Sequence, residues 1–519
     1  MKTERCTRLC LLIAALAAGV LTCIALWWAP LNQDEGWYLM ASRRVSQGQM
    51  PYRDFAFTQG PLFPYVLQIA QPLIRWQGVL GGRLFQLFWL GMTFWVLLWG
   101  SRICVPKARW GFAALLLICL LGLNVFQLQF TATIKTYTLA GYFLSLSLLG
   151  WLSYHRQPRR STLILCAAAL AAATATRLSL GLFFIPFTCD LLSRRTHKTT
   201  EREVWWFPLT GGLCLLLLFL PFFREAPEGF RMGLLEFHTS REAEGLLLLK
   251  AGFLSRMFQS YLPALLLLFV LLPRWRQWQP GLHSVAAGIF AVSLLHLLAP
   301  FHYDEYQSVL YPALVLLIAI ESARQVPTEW LRPGAVLLLL TGLLGAFSSP
   351  QLPGWFSYGP DRIWWRMKPE SDLHLLRETA RSLKELAPDA GEIFTSDTYL
   401  AIETNWEIPE DMEMGPFSFF PDLETHRAKQ LQVLNTERLL EQIRHSAAPL
   451  AALSGYSFSI QSPSITPTPP ETLQLLRGHL KEKYQLIAVV DNFGQANTGL
   501  SVYRLKNSPD QELRNLSAE

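Results

Sequence analysis

The 519-residue chain carries 45 Lys and Arg against 39 Asp and Glu, a net charge of +6, and 51% of its residues are hydrophobic while only 16% are charged. This balance argues against a wholly water-soluble protein, because apolar segments close to the length of a hydrocarbon core recur as far as residue 348. The excess positive charge lies in short loops between these segments and calls for no nucleic acid partner.

The first apolar run, 9–29, follows a basic start and ends at Trp27-Trp28. It is longer than the apolar core of a signal peptide and has no clean A-x-A site, so an uncleaved first span is expected. Directly after it stand two adjacent carboxylates, Asp34 and Glu35. Charges at the lip of a span are costly and mark candidate functional positions; a polar cap where the helix leaves the membrane is the simpler reading. Residues 30–79 are too long for a turn. In DEGWYLMASRRVSQG the apolar spacing, Arg43 and Arg44 and the Gly48 stop predict an interfacial helix lying flat on the membrane. A second apolar helix is expected from Gly60-Pro61 to about Arg75-Trp76, carrying Pro64 and Pro72.

Further apolar stretches fall at 80–103, 111–130, 137–154, 161–176, 178–192, 204–221, 259–273, 281–299, 308–322 and 332–348. Basic clusters at Lys2/Arg5/Arg8, Lys107/Arg109, 155–160, 193–198, 273–276 and 324–332 separate them in pairs. The positive-inside rule then predicts about eleven transmembrane helices, a cytoplasmic N-terminus and an external C-terminal part. Lys135 and Arg177 fall on the external side, against that trend. Each needs an anion there: a lipid phosphate, Asp34 or Glu35, or a head group reached by snorkelling. The short FHYDEYQSVLYP segment concentrates His302, Tyr303, Asp304, Glu305, Tyr306 and Gln307, which reads either as a site wall or as a solvated loop. In the long loop 222–258, Glu236, His238 and Arg241 could meet a substrate or form the charged face of an interfacial helix.

From residue 349 the pattern alternates between helix and strand. Helices are predicted over 370–386, 424–445 and 471–484, and strands over 392–396, 449–454, 485–490 and 500–505. DNFGQANTG forms a turn between the last two strands. The expected domains are thus a membrane module, 1–348, and an external soluble α/β domain, 349–519. Thr395-Ser396-Asp397 is read as a helix N-cap, and no glycine-rich nucleotide loop or nucleophile elbow is present. All eight cysteines fall at or before Cys214, so no disulfide framework holds the C-terminal part.

The first loop resembles that of the integral-membrane C-type glycosyltransferases, in the branch of the dolichyl-phosphate-mannose protein mannosyltransferases and lipid A aminoarabinose transferases. The resemblance rests on the Asp34-Glu35 pair, the run Tyr38, Ser42, Val45, Gly48, the P-Y-x-D-F motif (Pro51, Tyr52, Asp54, Phe55), Gly60-Pro61-Leu62 and Arg83-Leu84. It covers residues 1 to about 340 and implies a GT-C-like polytopic fold. It also implies an inverting hexosyl- or pentosyltransferase, drawing on a polyprenyl-phosphate-linked sugar at the outer face of a bacterial-type plasma (inner) membrane. The acceptor would be a hydroxyl on a glycan, lipid or protein.

Such chemistry needs a carboxylate to take the acceptor proton and a cation to hold the leaving phosphate. By resemblance Asp34 is the base and Glu35 its support. Tyr52, Asp54, Arg83, Lys135, Arg177, His302, Tyr303, Asp304 and Tyr306 are candidate substrate contacts. The family's loop at 302–307 often carries a basic residue where this chain has acids, which favours sugar or acceptor contact there. Asp54 also reads as a plain turn residue. No cofactor is expected, and no acidic cluster is dense enough to favour a metal. The alternative is a transporter, or a flippase or polymerase of lipid-linked glycans. Against the transporter stand the lack of an inverted repeat and of midplane charges.

Overall fold

The computed structural model describes residues 2–193, 204–239, 246–300, 303–359, 366–460, 467–495 and 497–506. Every predicted apolar stretch is helical: α1 (Lys2–Trp28), α5 (Val79–Cys104), α6 (Trp110–Leu117) with α7 (Val125–Ala132), α8 (Thr136–Arg156), α9 (Arg160–Thr176), α10 (Phe184–Ser193), α11 (Trp206–Glu225), α12 (Leu246–Leu271), α13 (Leu282–Leu298), α14 (Tyr311–Gln325) and α15 (Leu331–Phe347). Between α1 and α5 lie α2 (Gln33–Ser46), α3 (Leu62–Leu67) and α4 (Gln71–Gln77). Five described helices are long and apolar enough to cross a membrane, or six if the α6–α7 pair is one broken span. That pair bends by 69°. A π-helical turn at Ile118–Gly122 closes the first half, and Asn124 caps the second by accepting a hydrogen bond from the Gln127 amide at 2.9 Å.

Beyond α15, a four-stranded sheet has the order β1–β2–β4–β3, with β1 Ile393–Phe394, β2 Leu450–Leu453, β3 Tyr484–Phe493 and β4 Thr498–Leu505. β1 and β2 run parallel and the other pairs antiparallel. The helices here are α16 (Asp372–Leu386), α17 (Thr398–Thr404), α18 (Thr425–Gln430), α19 (Thr436–His445) and α20 (Pro470–Lys483). The helix expected over 424–445 is two helices, because Gln432 takes a left-handed conformation (φ +56°) and Asn435 starts α19 as a new N-cap.

The helix expected to lie flat on a membrane, α2, is instead enclosed by protein. α2 is buried on nearly all sides, and its arginines point into the C-terminal region. Arg43 donates to the Trp406 carbonyl at 2.7 Å; Arg44 donates to Glu413 and to Glu407, each at 3.0 Å. One apolar core accordingly joins Leu39, Met40, Phe55 and Phe63 of the first loop to Leu373, Ile393, Leu400 and Leu450. A second core lies within the helix bundle. Gly36 is a point of close approach, since a Cβ there would stand 2.2 Å from the Tyr399 amide nitrogen of α17.

Burial pushes the Glu413 carboxyl up to about 7, and Arg44 only partly offsets it. The fold therefore favours protonated Glu413. Its stabilising contribution is present below the ordinary carboxyl range and is lost as pH rises through about 7. Glu413→Gln is expected to remove about 1–2 °C of the fall in melting temperature between pH 6 and pH 8. An undiminished fall would show that another group carries the pH dependence.

Candidate active site

A cavity of about 920 Å³ opens between α2, the ends of α8 and α9, α12, α13 and the C-terminal sheet. Asp34 reaches it from the first turn of α2. Asn32 caps that helix by accepting a hydrogen bond from the Asp34 amide at 3.0 Å, and the Glu35 side chain returns to the Asn32 amide at 3.2 Å, completing a capping box. Glu35 itself is sealed off. It accepts two hydrogen bonds from Arg83 of α5, both at 2.7 Å, and both side chains are 0% exposed. The same guanidinium donates to the carbonyls of Leu26, Ala29 and Pro30, while Glu35 also accepts from the Ile134 amide at 3.3 Å. Glu35 and Arg83 thus tie α1, α2, α5 and the α7–α8 corner together behind the site, and neither lines the cavity.

Lys135 sits at the α7–α8 corner, 4% exposed, between two carboxylates. Its Nζ is 3.1 Å from Asp34 Oδ2 and 2.6 Å from Glu305 Oε1. Burial alone would lower this ammonium, but Asp34, Glu305 and Tyr137 outweigh it and hold Lys135 well above its ordinary range. The Tyr137 hydroxyl donates to the same Glu305 oxygen at 3.1 Å.

Arg177, just beyond α9, lies over the Tyr137 ring at 4.5 Å and the Tyr306 ring at 5.0 Å. It donates to Thr136 Oγ1 at 3.3 Å, has no carboxylate partner among the described residues, and its Nε is buried without a hydrogen bond. Trp37 Nε1 and Thr58 Oγ1, from two other lining residues, are likewise buried and unbonded. Tyr303 and Tyr306 also line the cavity. Asp304 does not; it holds the lining residue Arg256 at 2.9 Å.

Other candidates fall elsewhere. Asp54 accepts hydrogen bonds from the Met50 amide and from its neighbour Arg53, closing its own turn away from the cavity. Tyr52, with φ +70°, is buried against Phe57, Phe222 and Phe230 and donates to the Gln59 carbonyl, which shapes the loop from behind. Of the loop 222–258, His238 lines the cavity, and its Nε2 lies 2.8 Å from the Thr58 carbonyl. Glu236 pairs with Arg231 and Arg427 instead. His302 and Arg241 lie outside the described residues. Among the described residues, no three His, Cys, Asp or Glu side chains gather as a metal would require.

Several lining residues carry no signal in the sequence. Phe417, Tyr456 and Gln495 come from the C-terminal region. Gln495 accepts a hydrogen bond from the Gln33 amide at 2.7 Å, one residue before Asp34, and the Gln33 side chain donates to Asp397 at 3.0 Å. Asp397 does occupy the N-cap position of α17, but its carboxylate turns away to accept from Gln33, Tyr399 and Ser454. Burial raises that carboxyl above its ordinary value. Nothing local in the sequence announces contacts between residues this far apart.

No family model and no curated protein matches the chain. Solved structures do. The apo crystal structure of ArnT from Cupriavidus metallidurans is similar at a TM-score of 0.63 and 14% identity, over 95% of this chain and 97% of that one. The same protein bound to undecaprenyl phosphate is similar at a TM-score of 0.60 and 14% identity, over the same shares. The chain has the C-type glycosyltransferase (GT-C) fold. At 14% identity the likeness is one of fold, and in this GT-C chain the residues around the cavity have to be judged by their own geometry.

Proposed function

We propose that the chain transfers a sugar from a polyprenyl-monophosphate carrier to an acceptor hydroxyl, with inversion, at the outer face of a bacterial-type plasma membrane. The observation that carries this reading is the convergence of Asp34, Lys135 and Arg177 on one cavity, with the guanidinium of Arg177 lacking a carboxylate partner among the described residues. Asp34 takes the proton from the acceptor oxygen as that oxygen attacks the anomeric carbon. The bond from that carbon to the phosphate oxygen breaks, and its electron pair leaves with the phosphate. Arg177 holds the charge that develops there. Lys135 is shared by Asp34 and Glu305, and Arg256 is paired with Asp304, so among the described lining residues Arg177 is the cation left to face the phosphodiester charge. The unbonded Trp37 and Thr58 groups suit sugar hydroxyls. ArnT bound to undecaprenyl phosphate supports a lipid-phosphate ligand for this fold.

The outer-face assignment draws on the ends of α8 and α9. Their cavity ends carry Lys135 and Arg177, and their other ends carry His155, Arg156, Arg159 and Arg160, the side that the positive-inside rule keeps cytoplasmic. On this reading the eleven apolar stretches are spans and residues 349–519 form an external domain that closes the cavity.

The reading is tested by binding undecaprenyl phosphate to the purified protein. Arg177→Met is expected to weaken binding by about 10- to 100-fold, the worth of a hydrogen-bonded charge pair. Equal affinity in the wild type and Arg177→Met would remove Arg177 as the phosphate anchor.

A further inference from the structure

We propose that Glu305 keeps Asp34 a competent base by drawing the Lys135 ammonium away from it. The inference deepens the reading of Asp34 as base and rests on it. An ammonium held 3.1 Å from a carboxylate stabilises the ionised form and makes that carboxylate a reluctant proton acceptor. Here the ammonium lies nearer a second carboxylate, at 2.6 Å, and the Tyr137 hydroxyl fixes the same Glu305 oxygen. The Glu305 amide donates to Asp304 Oδ1 at 3.1 Å, and Asp304 is anchored by Arg256. Lys135 cannot turn elsewhere easily: its carbonyl accepts from Gln86, and its Nζ lies over the Phe130 ring at 5.6 Å.

The three charges Asp34, Lys135 and Glu305 sum to minus one. Without Glu305 they sum to zero, and the ammonium falls wholly to Asp34. Glu305 is thus a positioning residue, acting through Lys135.

The other titratable groups that face this cluster come from every neighbouring element. Tyr38 comes from α2, Tyr137 from α8, Arg177 from beyond α9 and Arg256 from α12. His238, His296 of α13, Tyr303, Tyr306 and, from the C-terminal region, Tyr456 complete the wall. Arg177 lies outside the Lys135 ion pairs, so its charge is the same with or without Glu305. Burial, with Asp34 next, raises the Tyr38 hydroxyl far above neutral pH, so it contributes no charge of its own.

The test reads Asp34 directly and needs no substrate. In the purified full chain, infrared difference spectra against pH are recorded for the wild type, Glu305→Gln, Lys135→Met and the double variant, each subtracted from the same background carrying Asp34→Asn. Glu305→Gln is expected to move the Asp34 titration to lower pH. Lys135→Met is expected to move it to higher pH, and the double variant to return it towards the wild type. Sugar transfer by Glu305→Gln should fall on the order of tenfold, as a weaker base slows proton removal. An Asp34 titration unmoved by Glu305→Gln overturns the inference, as does a change in donor KM alone, which would make Glu305 a substrate contact. If Glu305→Gln does not fold, Glu305→Asp takes its place, and an Asp34 titration unmoved in that variant overturns the inference. Wild-type transfer by Asp34→Asn would overturn the base reading while leaving the titration result standing, so the two failures are distinguishable.

Discussion

Asp34→Asn is expected to lower sugar transfer by about 10²- to 10⁴-fold, the usual contribution of a positioned general base. The substitution keeps the shape of the side chain and its place in the first turn of α2, where the Asn32 cap acts through the backbone amide rather than the carboxylate. On the proposed function, in which Arg177 holds the lipid phosphate, affinity for that group should change only a few-fold. A large loss of turnover with near-normal binding marks an interaction made in the transition state, which the ratio of kcat to KM in the two proteins measures. Loss of lipid binding with intact turnover on the bound fraction would assign Asp34 to the donor site instead.

The second large effect falls on stability. Glu35 and Arg83 form a fully buried, doubly hydrogen-bonded pair. Removing one partner strands the other charge in an apolar core, which costs about 3–5 kcal/mol. Glu35→Gln and Arg83→Met should each lower the melting temperature of the detergent-purified protein sharply. The double variant Glu35→Leu with Arg83→Met should recover only part of the loss. The carbonyls of Leu26, Ala29 and Pro30, which Arg83 also satisfies, remain without their donor. Residual activity in Glu35→Gln should follow the wild-type pH profile; a displaced profile would return Glu35 to the chemistry.

Asp34 and Glu35 show what the amino-acid sequence conveys and what it does not. The adjacent acids after the first apolar run are legible as a site, because two charges at a helix exit are conspicuous. Their division of labour is not. Arg83 is far along the chain from Glu35, and only folding brings its guanidinium to that carboxylate. The apolar stretches are legible as helices for the same reason that hydropathy works at all: a continuous run of this length buries itself in one way.

α2 misleads because Arg43 and Arg44 among aromatic residues have the pattern of a membrane-surface helix. Their true partners, Trp406, Glu407 and Glu413, lie more than 360 residues away. Lys135 and Glu305, 170 residues apart, are a second case. Each residue stands out for its own local oddity, and no local pattern joins them. Asp54 has the opposite fault. It belongs to a recognisable motif, yet its carboxylate is spent on the Met50 amide and Arg53 within its own turn. The helix break at Gln432 carries no glycine or proline to announce it.

The measurement that bears most directly on the proposed function is the mass spectrum of lipid-linked sugars from native host cells producing, at equal levels, either the wild-type chain or Asp34→Asn. It works whatever the sugar is. A glycosylated polyprenyl monophosphate should accumulate in the Asp34→Asn cells and disappear when the wild type is restored. Identical lipid-linked sugars in the two strains would contradict a transferase that consumes such a carrier through Asp34.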